Sequence, residues 1–342
     1  MAIPARPTLP DLDVSPALRT AIAAIGGVVG ALALLVLIGA LLTQTETGFT
    51  WPGYWQQVVS GLAQGAIFAS LALALVLIYR ATDVLNFAQG EMATFMTYVA
   101  WSLMNHMSYW PAFALTLGLA FVGGAAVERT VIRPVEHRPE IVIVIVTIGL
   151  LILINGLTGW IWGAEVKSFD SPFPNETVDI GSVTLSVVDL GTLGVVFATF
   201  LCVWAFFRFT SLGLAMRAVA NNADSSRLVG VRVGWMLALG WGLAAVLGAV
   251  AGMMAAPTVF LDPTMMLVIL IYAFAAAVLG GIDSPIGAVV GGLLLGVVIN
   301  LLGRYVDFVG SDLRLPAALA ILLLVLLIRP AGLFGHAVVR RV

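Results

Sequence analysis

Charged side chains are the scarcest class in this sequence. Asp, Glu, Lys and Arg together make up 10 % of its 342 residues, against about 25 % in an average soluble domain. Apolar residues reach 61 % and mean hydropathy is +1.07, so a water-soluble surface is excluded for a chain of this size. The solvent must be lipid. A single cysteine, Cys202, excludes an internal disulfide framework and any all-cysteine metal site. The three histidines, His106, His137 and His336, fall at predicted membrane boundaries without an H-x-x-x-H or H-E-x-x-H partner, so each reads as a solvated loop residue and neither zinc nor haem is expected. Lysine is almost missing: of 16 basic residues only Lys167 is not arginine. A phosphate-binding loop needs G-x-x-x-x-G-K-[ST]. Lys167-Ser168 supplies its last pair, but Ile161 and Val166 stand where the glycines belong. The chain is therefore expected to bind no cofactor and no metal, and any ATP and Mg would sit on partner subunits. A net charge of −2 and a pI near 5.9 give no reason to expect nucleic acid.

What is abundant is long apolar sequence. A helix crossing the hydrocarbon needs about 20 apolar residues. That ruler places segments near 21–43, 57–79, 91–105, 111–127, 141–162, 189–207, 236–256, 265–280, 286–302 and 315–329. The reading is an all-α polytopic membrane protein with about 8–10 transmembrane or re-entrant helices. Segments 91–105, 265–280 and 286–302 are short enough to be half-helices, which are tolerated only where protein or a cavity lines them. The stretch 21–43 follows Arg19 as a signal peptide would, but it is about twice the length of a typical signal-peptide core and reads as a true span.

Ten crossings from an internal N-terminus return the C-terminus inside (N-in/C-in). The cytoplasmic side then holds Arg6, Arg19, Arg80, Arg129, Arg133, Arg138, Arg208, Arg217, Arg227, Arg232, Arg329, Arg340 and Arg341, leaving only Lys167, Arg304 and Arg314 outside. The positive-inside rule demands this orientation. Residues 163–188 become an extracytoplasmic loop, in which the alternation of Val183, Leu185 and Val187 predicts a short hairpin. Residues 208–235 become a polar cytoplasmic segment.

Three patterns carry candidate function. The first is a cluster of polar residues at 61–92, where Gln64, Ser70, Asp83, Asn86, Gln89 and Glu91 interrupt apolar sequence. Polar groups at membrane depth cost free energy and tend to line paths, so Gln64, Asn86, Gln89 and Glu91 are candidate lining of a translocation path. Equally, Asn86 and Gln89, three apart on one helix face, can satisfy backbone groups where the chain breaks. The second pattern is G-x-x-x-G spacing at Gly26/Gly30, Gly61/Gly65, Gly159/Gly163, Gly248/Gly252, Gly287/Gly291 and Gly292/Gly296. Gly61, Gly65, Gly280, Gly281, Gly287, Gly291, Gly292 and Gly296 are the candidate packing positions. Within the dense run 280–296, Ser284-Pro285 starts a helix at a break, and Asp283 is a candidate cytoplasmic N-cap. The third pattern is residues 211–234. Ala218, Asn221, Asn222 and Ser225 leave a small-residue surface beside Arg217, while Leu214, Val219, Leu228 and Val229 are expected anchors. A short helix lying across the cytoplasmic face and ended by Gly230 fits this pattern, and its shape suits a groove on a soluble partner.

These residues also carry a resemblance. The run from Gly61 through N-F-A-Q-G-E (Asn86 to Glu91), the segment R-A-V-A-N-N-A-D-S-S-R-L-V-G-V (217–231) and the run A-V-L-G-G-I-D-S-P-I-G-A-V-V-G-G-L-L-L-G (277–296) resemble, in order, three motifs of branched-chain amino acid ABC-transporter permeases. The likeness is to the shorter, H-type half. It implies a multi-pass protein of a prokaryotic plasma (inner) membrane, in contact with membrane lipid and paired with a second, M-type permease subunit. It further implies two cytoplasmic ATPase subunits and an extracytoplasmic solute-binding protein. Residues 217–231, within the cytoplasmic segment 208–235, would be the ATPase coupling segment and 51–342 the permease domain, whereas residues 1–50, a tail plus an extra transmembrane helix, exceed the usual start of the H-type half. The implied solutes are branched-chain amino acids, but urea and short-chain amide importers share the motifs, and Gln89 stands where N-F-A-H-G often has histidine. The readings outside this class are an ion-coupled secondary transporter, for which only Asp83 and Glu91, both expected close to the inner surface, are near candidates, and a channel or structural membrane subunit, against which only the coupling segment speaks.

Overall fold

The computed structural model describes residues 50–306, 309–310 and 312–335. The expected span at 21–43, Gly26, Gly30, His336 and the arginines at 6, 19, 340 and 341 lie outside the described residues. Among the described residues eleven α-helices follow one another: α1 (Trp51–Thr82), α2 (Gln89–Met104), α3 (Tyr109–Val127), α4 (Glu140–Trp162), α5 (Val187–Phe209), α6 (Ser211–Asn221), α7 (Ala223–Leu228), α8 (Val233–Val259), α9 (Met265–Gly280), α10 (Pro285–Tyr305) and α11 (Arg314–Ile328). Among the described residues six helices are long and apolar enough to cross a membrane. A hairpin, β1 (Thr177–Ile180) with β2 (Val183–Ser186), is antiparallel and lies in the extracytoplasmic loop. Its turn passes through Gly181 at φ 67, and Val187, expected in the strand, instead opens α5.

Two of the three short segments are short in space. Helices α2 and α9 have 16 residues each, about 24 Å at 1.5 Å per residue, less than the roughly 30 Å hydrocarbon core. The third expectation is corrected. Helix α10 is a full span of 21 residues, because the helix runs on past the apolar stretch through Gly303, Arg304 and Tyr305. Its N-cap is Ser284, whose Oγ accepts from the Gly287 N–H at 3.0 Å, so Asp283 is not the cap.

Helices α1 and α8 are largely buried, while α3, α4 and α5 keep most of their surface outward. The outward side chains are apolar, as in Val122, Ile152, Leu153 and Leu201, which is what lipid requires. Exposed Trp51, Trp55, Trp110 and Trp160 ring the extracytoplasmic end, and exposed Trp204, Phe209 and Trp235 the other. Such aromatic belts mark the two interfaces.

Glycine decides how the centre closes. Helices α1 and α10 run antiparallel in near backbone contact: a methyl on Gly61 would stand 2.7 Å from Val297 Cα, and one on Gly65 2.8 Å from the Gly292 carbonyl oxygen. Gly292 lies against Ala69, and Gly296 against Gly65. On its other face α10 presents Gly287 to the carbonyl of Gly280, and Gly291 to Ala276 and Gly280 of α9. Gly281, at φ 108, occupies the left-handed region in the turn between α9 and α10, where a side chain would be strained. The Gly159/Gly163 spacing makes no such seam, since both positions face open space and Gly163 instead ends α4 at φ 81.

Candidate functional site

The polar cluster sits where α1 gives way to α2. Helix α1 stops at Asp83, a left-handed residue (φ 55) whose N–H donates to the Tyr79 carbonyl. Six residues later α2 begins, already at depth. The Gln89 amide donates from Nε2 to the Ala244 carbonyl at 2.8 Å. Ala244 stands eleven residues into α8, so this contact is about 16 Å along that helix from its cytoplasmic end. Asn86 completes the arrangement: its Oδ1 accepts from the Ala88 N–H at 3.0 Å, and its Nδ2 donates to Gln89 Oε1 at 3.2 Å. Both side chains are fully buried. Gly248 makes room for them, since a methyl there would meet Gln89 Nε2 at 2.8 Å. In this geometry Asn86 and Gln89 hold broken backbone and tie α2 to α8.

Glu91 is also buried, with its Oε2 accepting from Asn155 Nδ2 at 3.2 Å, and the same amide donates to the Pro263 carbonyl at 2.9 Å. Asn155 lies fifteen residues into α4, about 22 Å from that helix's cytoplasmic end. The expectation that Glu91 lies near the inner surface is therefore corrected. A half-helix that starts at depth carries its first turn deeper still. Gln64 stands apart from these three. It is exposed near the middle of α1, on one stripe with Gln57 and Ser60, and Ser60 Oγ donates to Asp189 Oδ2 of α5 at 2.6 Å. The four candidate path residues thus separate into a buried set and one exposed residue.

This division makes a prediction. Gln89→Ala removes a donor from Ala244 and an acceptor from Asn86, and a buried unsatisfied group costs about 1–3 kcal/mol. A lower melting temperature and lower yield are expected, with Asn86→Ala behaving alike. Gln64→Ala should leave the melting curve unchanged and alter uptake instead. Equal stability of all three variants would contradict the geometry.

The cytoplasmic segment is two helices, not one. Thr210 ends α5 and caps α6, its Oγ1 accepting from the Gly213 N–H at 3.0 Å. Asn222 ends α6 and caps α7, its Oδ1 accepting from the Ser225 N–H at 2.8 Å. The chain therefore bends at Asn222, whose side chain is committed to its own backbone. Gly230 (φ 86) closes α7: its N–H reaches the Arg227 carbonyl at 3.0 Å and the Val231 N–H the Ser226 carbonyl at 3.0 Å. That hydrogen-bond pair is a Schellman motif. Of the four expected anchors only Val219 is buried, against Val233, Met236 and Leu237. Leu214, Leu228 and Val229 are exposed instead, Leu228 at 89 % and Val229 at 79 %. Arg217, Ala218 and Asn221 are exposed beside them. Hydrophobicity alone cannot tell a core anchor from a surface that meets a partner.

A family profile described as "Branched-chain amino acid transport system / permease component" matches residues 57–329. That span holds the α1–α2 break, the two-helix elbow and the glycine seams. The chain belongs to this permease family. It is 29 % identical over 309 residues to the "High-affinity branched-chain amino acid transport system permease protein LivH" of Salmonella typhimurium, covering 84 % of this chain and 98 % of that one. It is also 29 % identical to the corresponding protein BraD of Pseudomonas aeruginosa over 304 residues, with the same coverage of 84 % and 98 %. Among solved structures it aligns with "PsaBC from Streptococcus pneumoniae in complex with Fab" at 14 % identity and a TM-score of 0.45, covering 88 % and 97 % of the two chains, too weak a likeness to decide a fold. The permease is thus a multi-pass plasma-membrane transport subunit of an ABC importer.

One contact of the permease was not visible in the sequence. After α3 the chain makes a π-helical turn, Glu128–Ile132, which brings positions five apart together. Arg133 grips Glu128 with two hydrogen bonds, Nη2 to Oε2 at 2.8 Å and Nε to Oε1 at 3.2 Å. It also donates to the Gly234 carbonyl at the start of α8, directly after the elbow. Glu128 is 1 % exposed. The pair therefore fixes where the elbow re-enters the membrane. Hydrogen bonds to charged groups contribute about 1.5–3 kcal/mol each, so Arg133→Ala should lower the melting temperature of the permease, measured in detergent. Arg133→Lys should not restore it, because an ammonium cannot make the two-pronged contact. Full rescue by lysine would show that charge alone matters.

Proposed function

We propose that this permease carries branched-chain amino acids, or a closely related small polar solute, inward as half of the membrane core of an ATP-driven importer. A second, M-type permease subunit forms the other half. Two cytoplasmic ATPase subunits bind ATP and Mg and supply the energy, and an extracytoplasmic solute-binding protein delivers the cargo. The observation that carries this reading is the α6–α7 elbow. It is rigidly capped at both ends, yet it turns Leu228 and Val229 into the cytoplasm beside Ala218 and Asn221. Exposed leucine and valine on a polar segment mark a surface meant to be covered, and an ATPase groove is the cover the family supplies. Gln64 supports a path along α1: a polar, exposed side chain at mid-membrane needs water or a partner subunit rather than lipid.

The relatives LivH and BraD are branched-chain amino acid permeases, which favours those solutes over urea or amides. Gln89 does not argue against them, because its amide is engaged with Ala244. An ion-coupled mechanism calls for a relay of titratable groups across the bilayer, and the partner of Glu91 is the neutral Asn155.

Reconstitution into proteoliposomes with the partner ATPases and binding protein tests the proposal. The expected results are no ATPase activity from the purified chain alone and ATP-dependent uptake of labelled leucine by the full complex. Competition by isoleucine and valine but not by urea is expected as well. Uptake that survives loss of the ATPases' catalytic carboxylates and follows an ion gradient would overturn the ABC reading. Competition by urea or acetamide alone would overturn only the choice of solute.

A further inference from the structure

A cavity of about 340 Å³ opens near the cytoplasmic end of the bundle, between α1, α5, α6, α8 and α10. Its volume falls in the range of about 300–1,000 Å³ typical of small-molecule sites. Leu73, Leu77, Phe207 and Val289 are among its apolar walls, and among the described residues its only charged lining is Arg80 and Arg217. Arg80 belongs to the last turn of α1 and Arg217 to α6. Neither guanidinium has a hydrogen-bond or ion-pair partner among the described residues.

Three properties define what fits. The walls are apolar, so water gains few hydrogen bonds inside. The two free cations stand at the cytoplasmic level, where the inner leaflet presents anionic head groups. One wall is α5, the most outward-facing of the six long helices, so access is sideways from the bilayer. An occupant must combine a hydrocarbon body with a negative head at one end.

We infer that this cavity is a binding site for an anionic phospholipid of the cytoplasmic leaflet, with an acyl chain between α1, α5 and α10 and the phosphate group served by Arg80 and Arg217. Basic pockets between membrane helices on the cytoplasmic side are suited to such head groups. The site rests on the orientation of the chain and not on the transported solute. It also has a structural consequence. Met216, Val219 and Ala220 of α6 line the same cavity, so a bound lipid braces the elbow against the spans.

The test is lipid competition in the assembled transporter. The complex is placed in nanodiscs containing equal phosphatidylglycerol and phosphatidylcholine, and the lipids retained after extraction are counted by native mass spectrometry. The wild type should retain phosphatidylglycerol preferentially. Arg80→Gln should lower that preference about fivefold, the weight of one basic residue at the membrane surface. Val289→Trp, which fills the cavity, should abolish retention of this lipid. If that variant does not fold, Leu77→Phe tests the same point. Arg304→Gln, at the opposite end of α10, should change nothing. Equal retention of the two lipids by the wild type, or a preference unaffected by Arg80→Gln and by filling the cavity, would overturn the assignment. So would a cross-link placing the second permease subunit inside the cavity.

Discussion

Ala218→Trp is expected to abolish solute uptake by the reconstituted transporter while leaving the permease folded. Ala218 is exposed on α6, one turn before the bend at Asn222. Its side chain contributes nothing to the core, and surface substitutions of that kind usually change stability by no more than about 0.5 kcal/mol. An indole at this position would stand between the elbow and any groove that receives it. The melting curve should therefore match the wild type, while co-purification of the ATPases or ATP-driven uptake falls at least about tenfold, equivalent to about 1.4 kcal/mol of lost coupling. Normal docking together with normal uptake would reduce the elbow to a connector, and the proposed energy source would lose its principal support.

Gly292→Leu should have the opposite signature, loss of the folded protein itself. A single methyl at this position would already lie 2.5 Å from Ala69 Cα. Backbone stands behind that contact, so no side-chain rotation can relieve it, and α1 and α10 would have to separate along their shared seam. Destabilisation beyond about 4–5 kcal/mol is exceptional and follows from faults of this kind. Little or no monodisperse protein is expected on size-exclusion chromatography after mild extraction. Gly159→Leu provides the contrast, because that position faces open space and should be tolerated. A well-behaved Gly292→Leu protein would show that the two helices are not packed as described.

The spans were legible because length and apolarity are local properties, and lipid imposes them segment by segment. Of the segments that fall on described residues, α10 was misjudged as short because its helix continues through Arg304 beyond the apolar run, and 315–329, read as a span, is a helix of 15 residues, about 22 Å long. The candidate site was legible in part. Spacing identified Asn86 and Gln89 as neighbours, but not the carbonyl of Ala244, 155 positions away, that receives the glutamine. The exposure of Gln64 depends on what α5 leaves uncovered, which no local pattern encodes. Leu228 and Val229 read as anchors because a leucine's tendency to leave water says nothing of whether its own chain or another supplies the cover. Glu128 and Arg133 escaped notice because five-residue spacing unites side chains only in a π-helical turn, and the sequence carries no recognised signal for one. Gly230 was the easier case: a glycine after an amphipathic stretch is a helix stop, and the hydrogen bonds that close α7 are of that type.

The seam between α1 and α10 also sets a timetable. Gly61 and Val297, which meet across it, are separated by most of the chain, and ribosomes add about 5–20 residues per second. For on the order of ten to fifty seconds after its own synthesis, α1 must wait in the membrane with its notched face and buried serine, Ser70, lacking their final neighbours. Helix α8, whose Leu247 carbonyl accepts from Ser70 at 2.9 Å, arrives earlier and covers part of that surface. The nascent protein therefore depends on something that shelters an unfinished helix, whether lipid, insertase or the protein-conducting channel, and the central pair is completed only near the end of translation.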